Sequence, residues 1–353
     1  TSKANTRQPL QRKPLATASK RGLHHRSPRA GARRVFALDY FDKKSIIDLE
    51  DLLDTADINA ILFGNMINHI NNNDFDYLHG GMGISLCLIN SKEDDKAANY
   101  LNQLLNTLKN KGISDRDDLI YWDMELNDTE YDNSGINLSI SHGNLSILSI
   151  LTILKKENIP GVNTTMLDEL INKSLNFYEI IVDDHEIKEG QHTLPNWVRK
   201  TDGYANARLG WCYGDLSSSY ALLKSAKIMK RKDLEQKVLE IALNTCSIRT
   251  LDASGVSDAG VCHGTAGISH IYSNFYRDTN HPKFKETAHH WMDATLKMAQ
   301  FKDGLAGYKT WGGSENGWKN DFSLLGGVTG IGLAMLSYVN QEDPIWDRCL
   351  LLN

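Results

Sequence analysis

From residue 35 onward the chain alternates long stretches with apolar residues at helical spacing and short turns rich in glycine. Ala97, Leu101, Leu104, Leu105 and Leu108 fall on one helical face, and so do Leu167, Leu170, Ile171, Leu175 and Tyr178. Steps of three and four residues mark amphipathic helices that bury one side. Runs of strict two-residue alternation are scarce. The pattern predicts an all-α fold.

Five of the glycine turns resemble one another: HGGMGISL at 79–86, HGNLSILS at 142–149, YGDLSSSY at 213–220, HGTAGISH at 263–270 and GGVTGIGL at 326–333. Each has a lead glycine, at 80, 143, 214, 264 and 327, with Gly or Ser three positions later. The intervals are 63, 71, 50 and 63 residues, room for two helices and their connections, so the repeat is a helical hairpin. A glycine turn opens each inner helix, and small residues let inner helices approach closely. Hairpins of this kind stack as an open solenoid or close into a ring. Closure removes exposed ends and gathers the turns around one mouth, so a closed α/α toroid is expected over 35–353.

Whatever precedes the turns then faces that mouth. His79, His142 and His263 stand immediately before the lead glycine, and Cys212 and Cys262 stand close to it. The repeat register thus brings Cys212, Cys262, His263 and His142 to one face from distant parts of the chain.

Composition narrows the reading. The 353 residues are 41% hydrophobic and 24% charged, a balance that supports a sizeable core. No apolar run approaches the ~18 residues of a membrane span, and no signal region is visible. Residues 1–34 hold ten Lys/Arg, no acid and three of the seven prolines. Such a segment buries too little to order itself. It is expected to be disordered and separate from the fold, as a fusion remnant in preference to an Arg/Ser-rich targeting peptide or a native basic tail. The remainder has 29 bases against 44 acids, net −15, which does not suit nucleic acid. It could suit a basic peptide, although acidity commonly serves solubility alone. Five widely spaced cysteines and the lack of a signal sequence argue against a disulfide framework and for the cytoplasm.

In a reducing setting the two mouth cysteines are core residues, nucleophiles or ligands. Two Cys and one His form a three-donor zinc set with a fourth position open, the catalytic arrangement. Softness favours zinc over magnesium or calcium. The fourth position could hold a substrate thiolate or an activated water, giving a thiol-adding enzyme or a hydrolase.

WCYG at 211–214, CHG at 262–264, SHG at 141–143, the repeated glycine turns and the ending LLGGVTGIGLAMLSYV…WDRCLLL together resemble the lanthionine synthetase C family, the lanthipeptide cyclases. The resemblance covers roughly residues 40 to 353. It implies an α/α toroid that adds peptide cysteine thiols to dehydroalanine or dehydrobutyrine, giving thioether rings. It implies Cys212, Cys262 and His263 as zinc ligands and His142 as the acid–base. Asp76 would orient that histidine or act as an N-cap, and Arg208 and Tyr213 would stabilise an enolate. The implied partners are a dehydrated precursor peptide, a separate dehydratase and an exporter. Family members usually have six or seven hairpins, so the first hairpin is expected to be missing here. Three other readings stay open: a non-cyclising relative that handles another thiol such as glutathione, a glycosidase using Asp76 and Asp215, and a scaffold clamped by zinc. Cys87, Cys246 and Cys349 read as core or tail residues, and His79 receives no role.

Overall fold

The computed structural model describes residues 55–92, 94–123, 135–199, 203–204, 208–340 and 343–353. The basic segment 1–34 and the start of the expected toroid, up to residue 54, lie outside the described residues. No helix among the described residues is long and apolar enough to cross a membrane.

Five inner helices follow the five glycine turns: α2 (Gly81–Asn90), α4 (Asn144–Glu157), α6 (Asp215–Ile228), α9 (Thr265–Thr279) and α11 (Val328–Asn340). They pack in that order, each against the next. Outside them lie α1 (Thr55–Asn71), α3 (Ala97–Lys111), α5 (Thr164–Asp183), α7 (Lys232–Thr245) and α10 (Pro282–Lys297), with the short α8 (Leu251–Ser254) before the fourth turn. Small antiparallel pieces complete the described chain: β1 (Gly135–Asn137), β2 (Trp197–Arg199) and β3 (Gly203–Tyr204) in one sheet, and β4 (Thr310–Trp311) with β5 (Trp318–Lys319) in another. The α/α toroid expected from the repeat is the observed architecture. GNMINHI around Gly64 sits inside α1 and is not a sixth turn.

The two helix classes follow from their sequences. Outer helices are one-sided: Leu101, Leu104, Leu105 and Leu108 of α3 are buried, and Lys109 and Lys111 complement its C-terminal dipole. In α5, Asn163 caps the start by accepting from the Met166 N–H at 3.1 Å. Two inner helices are covered on nearly all sides: residues 81–89 of α2 and 144–154 of α4 are all buried. A helix covered on every side needs small polar groups that satisfy themselves locally. Thr152 Oγ1 does so, donating to the Leu148 carbonyl at 2.8 Å.

The C-terminal segment enters the ring. A 3-10 turn, Ile345–Leu350, brings Arg348 to Asn90 of α2 (2.9 Å) and Glu157 of α4 (2.7 Å). Asp347 Oδ2 meets His270 Nε2 of α9 at 2.8 Å, and Trp346 Nε1 donates to Ser337 Oγ of α11 at 2.8 Å. Lys224 of α6 donates to the Leu352 carbonyl at 2.8 Å. Residues 346–352 therefore tie all five inner helices together.

Candidate metal centre

The mouth is built from backbone first. Trp211 and Cys212 both donate their N–H to the Cys262 carbonyl, at 2.8 and 3.1 Å, and Val261 and Cys262 both donate to the Leu325 carbonyl at 2.8 Å. Ser141 Oγ donates to the Cys212 carbonyl at 2.9 Å. The second, third, fourth and fifth turns are thus hydrogen-bonded in succession, and the side chains they carry are held in one register.

The lead glycines make this possible. A Cβ at Gly264 would lie 2.3 Å from the Gly260 nitrogen. Gly214 has φ +103°, and a Cβ there would fall 1.5 Å from the Arg208 carbonyl oxygen. Six residues before four of the lead glycines stands Asp or Asn: Asp74, Asn137, Asp258 and Asp321. In three of these the side-chain Oδ1 accepts from the backbone N–H two residues on, at Ser139 (2.9 Å), Gly260 (2.9 Å) and Ser323 (2.6 Å), a local turn made by an acidic or amide side chain. The third repeat has Arg208 at that position. Its guanidinium instead reaches Cys212 Sγ at 3.2 Å and lies 5.9 Å over the Tyr213 ring.

Cys212, Cys262 and His263 converge, with one donor atom from each within 4.8 Å of the others. Cys212 Sγ lies 3.9 Å from His263 Nδ1. Cys212 is buried, and Cys262 and His263 are half-buried. Without metal, the Cys262 hydrogen bond, the His263 hydrogen bond and the Arg208 charge hold the Cys212 thiol well below its ordinary range. Cys262 is pushed up by that neighbouring thiolate and by burial. His263 is pulled up by its bond to Cys212. Two sulfurs and one imidazole, half-open to solvent, fit a zinc set with a free position, and they suit hard oxygen-seeking cations poorly.

A histidine–carboxylate pair flanks the thiols. Asp76 Oδ2 meets His142 Nδ1 at 2.5 Å. Asp76 Oδ1 also accepts the Leu78 and His79 N–H groups, at 2.6 and 2.7 Å, which braces the turn before α2; the N-cap of α2 is Gly80, so the N-cap reading of Asp76 does not hold. Tyr213 links the pair to the thiols: its ring lies 6.2 Å from that of His142, and its hydroxyl accepts from Asn137 Nδ2 at 3.3 Å. Burial raises the Tyr213 phenol above its ordinary value. All seven residues singled out in the sequence therefore meet at one mouth. Asp215 is not free there. It is fully buried, and its oxygens accept the Thr193 and Leu194 N–H groups at 2.8 and 2.5 Å. The paired-carboxylate glycosidase reading lacks its second acid.

The Asn137 contact, and Arg208 as the exception to an Asp/Asn position, were not anticipated. The signal was present as a longer repeat, Asp or Asn followed after five residues by the lead glycine.

The model of the lanthionine synthetase C-like protein family matches residues 44–351. The chain belongs to that family. Among solved structures it is similar to nisin cyclase, at 18% identity over 91% of this chain and 78% of that one, with a TM-score of 0.68. That likeness agrees with the toroid. Cellobiose 2-epimerase from Bacillus thermoamylovorans also aligns, at 14% identity over 81% of this chain and 79% of that one, with a TM-score of 0.49. Family membership supports a lanthionine synthetase-like enzyme, in a family that also includes members that do not cyclise.

Proposed function

We propose that this chain is a zinc-dependent cyclase that adds peptide cysteine thiols to dehydroalanine or dehydrobutyrine, closing lanthionine or methyllanthionine rings. The observation that carries the reading is the convergence of Cys212, Cys262 and His263 beside the Asp76–His142 pair, in a chain of this family.

Cys212, Cys262 and His263 are the residues that would hold the metal. Zinc bound there keeps a peptide thiol ionised at neutral pH while leaving it nucleophilic. The addition forms a C–S bond at the β-carbon and leaves an enolate, which takes a proton at the α-carbon. His142 accepts the thiol proton and returns it to carbon. Asp76 holds His142 through Nδ1, so Nε2 is the nitrogen that exchanges the proton. Arg208 and Tyr213 offer a cation and a phenol to the developing enolate oxygen. The dehydro residues come from a dehydratase acting beforehand.

The reaction leaves mass unchanged and consumes a free thiol. The zinc-loaded chain should therefore convert a dehydrated, cysteine-containing peptide into a product of equal mass that no longer reacts with N-ethylmaleimide. A fully alkylated peptide after long incubation would reject the proposal. Consumption of glutathione in place of ring closure would move the chain to thiol transfer.

A further inference from the structure

Beside the thiols lies a second group of ligand-type side chains. A carboxylate oxygen of Asp76 and one ring nitrogen from each of His79 and His142 lie within 4.8 Å of one another. The two imidazoles are 8° from parallel with centroids 5.7 Å apart, and His79 stands on the exposed side. Asp76 is oriented by the two N–H groups on Oδ1, leaving Oδ2 directed at His142. Among the described residues only this group and the thiol group bring three such donors together.

We propose that Asp76, His79 and His142 form a second divalent-cation site, weaker than the thiol site and of a different chemistry. Two imidazoles and one carboxylate suit Zn²⁺, Co²⁺ and Ni²⁺, with the remaining positions open to water. No thiolate contributes, and only one ligand is anionic, so this site fills after the thiol site. An ion there replaces the proton shared by Asp76 and His142. On the reading of His142 as the acid–base, which this consequence rests on, excess zinc switches ring closure off. His79 has no part in the proposed addition and separates the two effects.

The test is equilibrium dialysis of the full chain against rising Zn²⁺, with elemental analysis, for wild type, His79→Ala and Cys212→Ala. Two equivalents are expected in the wild type at zinc excess, one in His79→Ala, and one, weakly held, in Cys212→Ala. With Co²⁺ as probe, the first equivalent should bring sulfur-to-metal charge-transfer absorption. The second should add visible d–d bands without it, and those bands should vanish in His79→Ala. One equivalent in saturated wild type, or a second equivalent retained by His79→Ala, would overturn the site. If the second equivalent depends on His79 yet zinc excess leaves cyclisation untouched, the site stands and His142 loses its proposed role. The two readings therefore fail separately.

Discussion

Among the described histidine–aspartate pairs, His142–Asp76 and His270–Asp347 have surroundings that differ in almost every respect. At the mouth, His142 and Asp76 have side chains 24% and 6% exposed. The pair is flanked by the His79 and Tyr213 rings, with the thiols just beyond. Inside the ring, His270 and Asp347 are each 1% exposed. Asn274 Nδ2 adds a third member, donating to Asp347 Oδ2 at 2.9 Å, and the Trp346 ring lies 4.6 Å from that of His270. The first pair is open to a reacting molecule. The second is sealed and clamps the C-terminal segment to α9. Residue type alone therefore says little about role; access and neighbours decide it.

The largest expected effect lies at the mouth. Cys212→Ala or Cys262→Ala should release the metal and abolish ring formation, while the thermal midpoint of the metal-free protein stays near that of the metal-free wild type. Metal content and melting curves check both halves. Next come the two pairs themselves. His142→Ala should keep the metal and lower turnover by about 10²–10⁴-fold, the usual worth of a positioned acid–base. Asp347→Ala should do the reverse. It strips a buried partner from His270 and Asn274, and such losses cost about 3–5 kcal/mol of stability, readable by urea denaturation. Chemistry per folded molecule should remain. If Asp347→Ala lost turnover at full stability, the separation into a working pair and a clamping pair would be wrong.

Asp76→Ala sharpens the contrast on a smaller scale. It removes the brace of a turn, worth about 1 kcal/mol, together with the orientation of His142. Turnover should fall far more than stability, and Asp76→Asn should recover the brace without the rate.

The smallest effect concerns Lys224, inside the ring near the tail. Burial lowers its ammonium from 10.5 to about 8. A lysine depressed in the folded state is easier to protonate when unfolded. Its cost is fully present below about pH 8 and is relieved as pH rises toward 10.5. Between pH 7 and 9 the wild type should gain about 1 kcal/mol relative to Lys224→Met, measured by paired urea titrations. A constant difference would show that the amine titrates normally.

Much of this was legible in the chain because the signals are local. The buried faces of α3 and α5 follow three- and four-residue spacing, and the lead glycines repeat within an eight-residue window. The register then sufficed to gather Cys212, Cys262, His263 and His142. The tail was not legible. Arg348 meets Asn90 across 258 positions, and Tyr77 donates to the Cys349 carbonyl across 272; no periodicity encodes such contacts. Asp215 was misplaced for a related reason. Its neighbour glycine put it at the mouth by register, but burial and two backbone N–H groups turned its carboxylate inward. The special standing of Arg208 needed the six-residue offset to the lead glycine, which becomes visible once the Asp/Asn turns are seen in the fold.

The most direct test is metal per chain after dialysis without added zinc, for wild type, Cys212→Ala and His142→Ala. One zinc in the wild type and in His142→Ala, with none in Cys212→Ala, is the expected result. Zinc retained by Cys212→Ala, or absent from a well-folded wild type, would contradict the thiol-and-imidazole centre and the cyclase chemistry built on it.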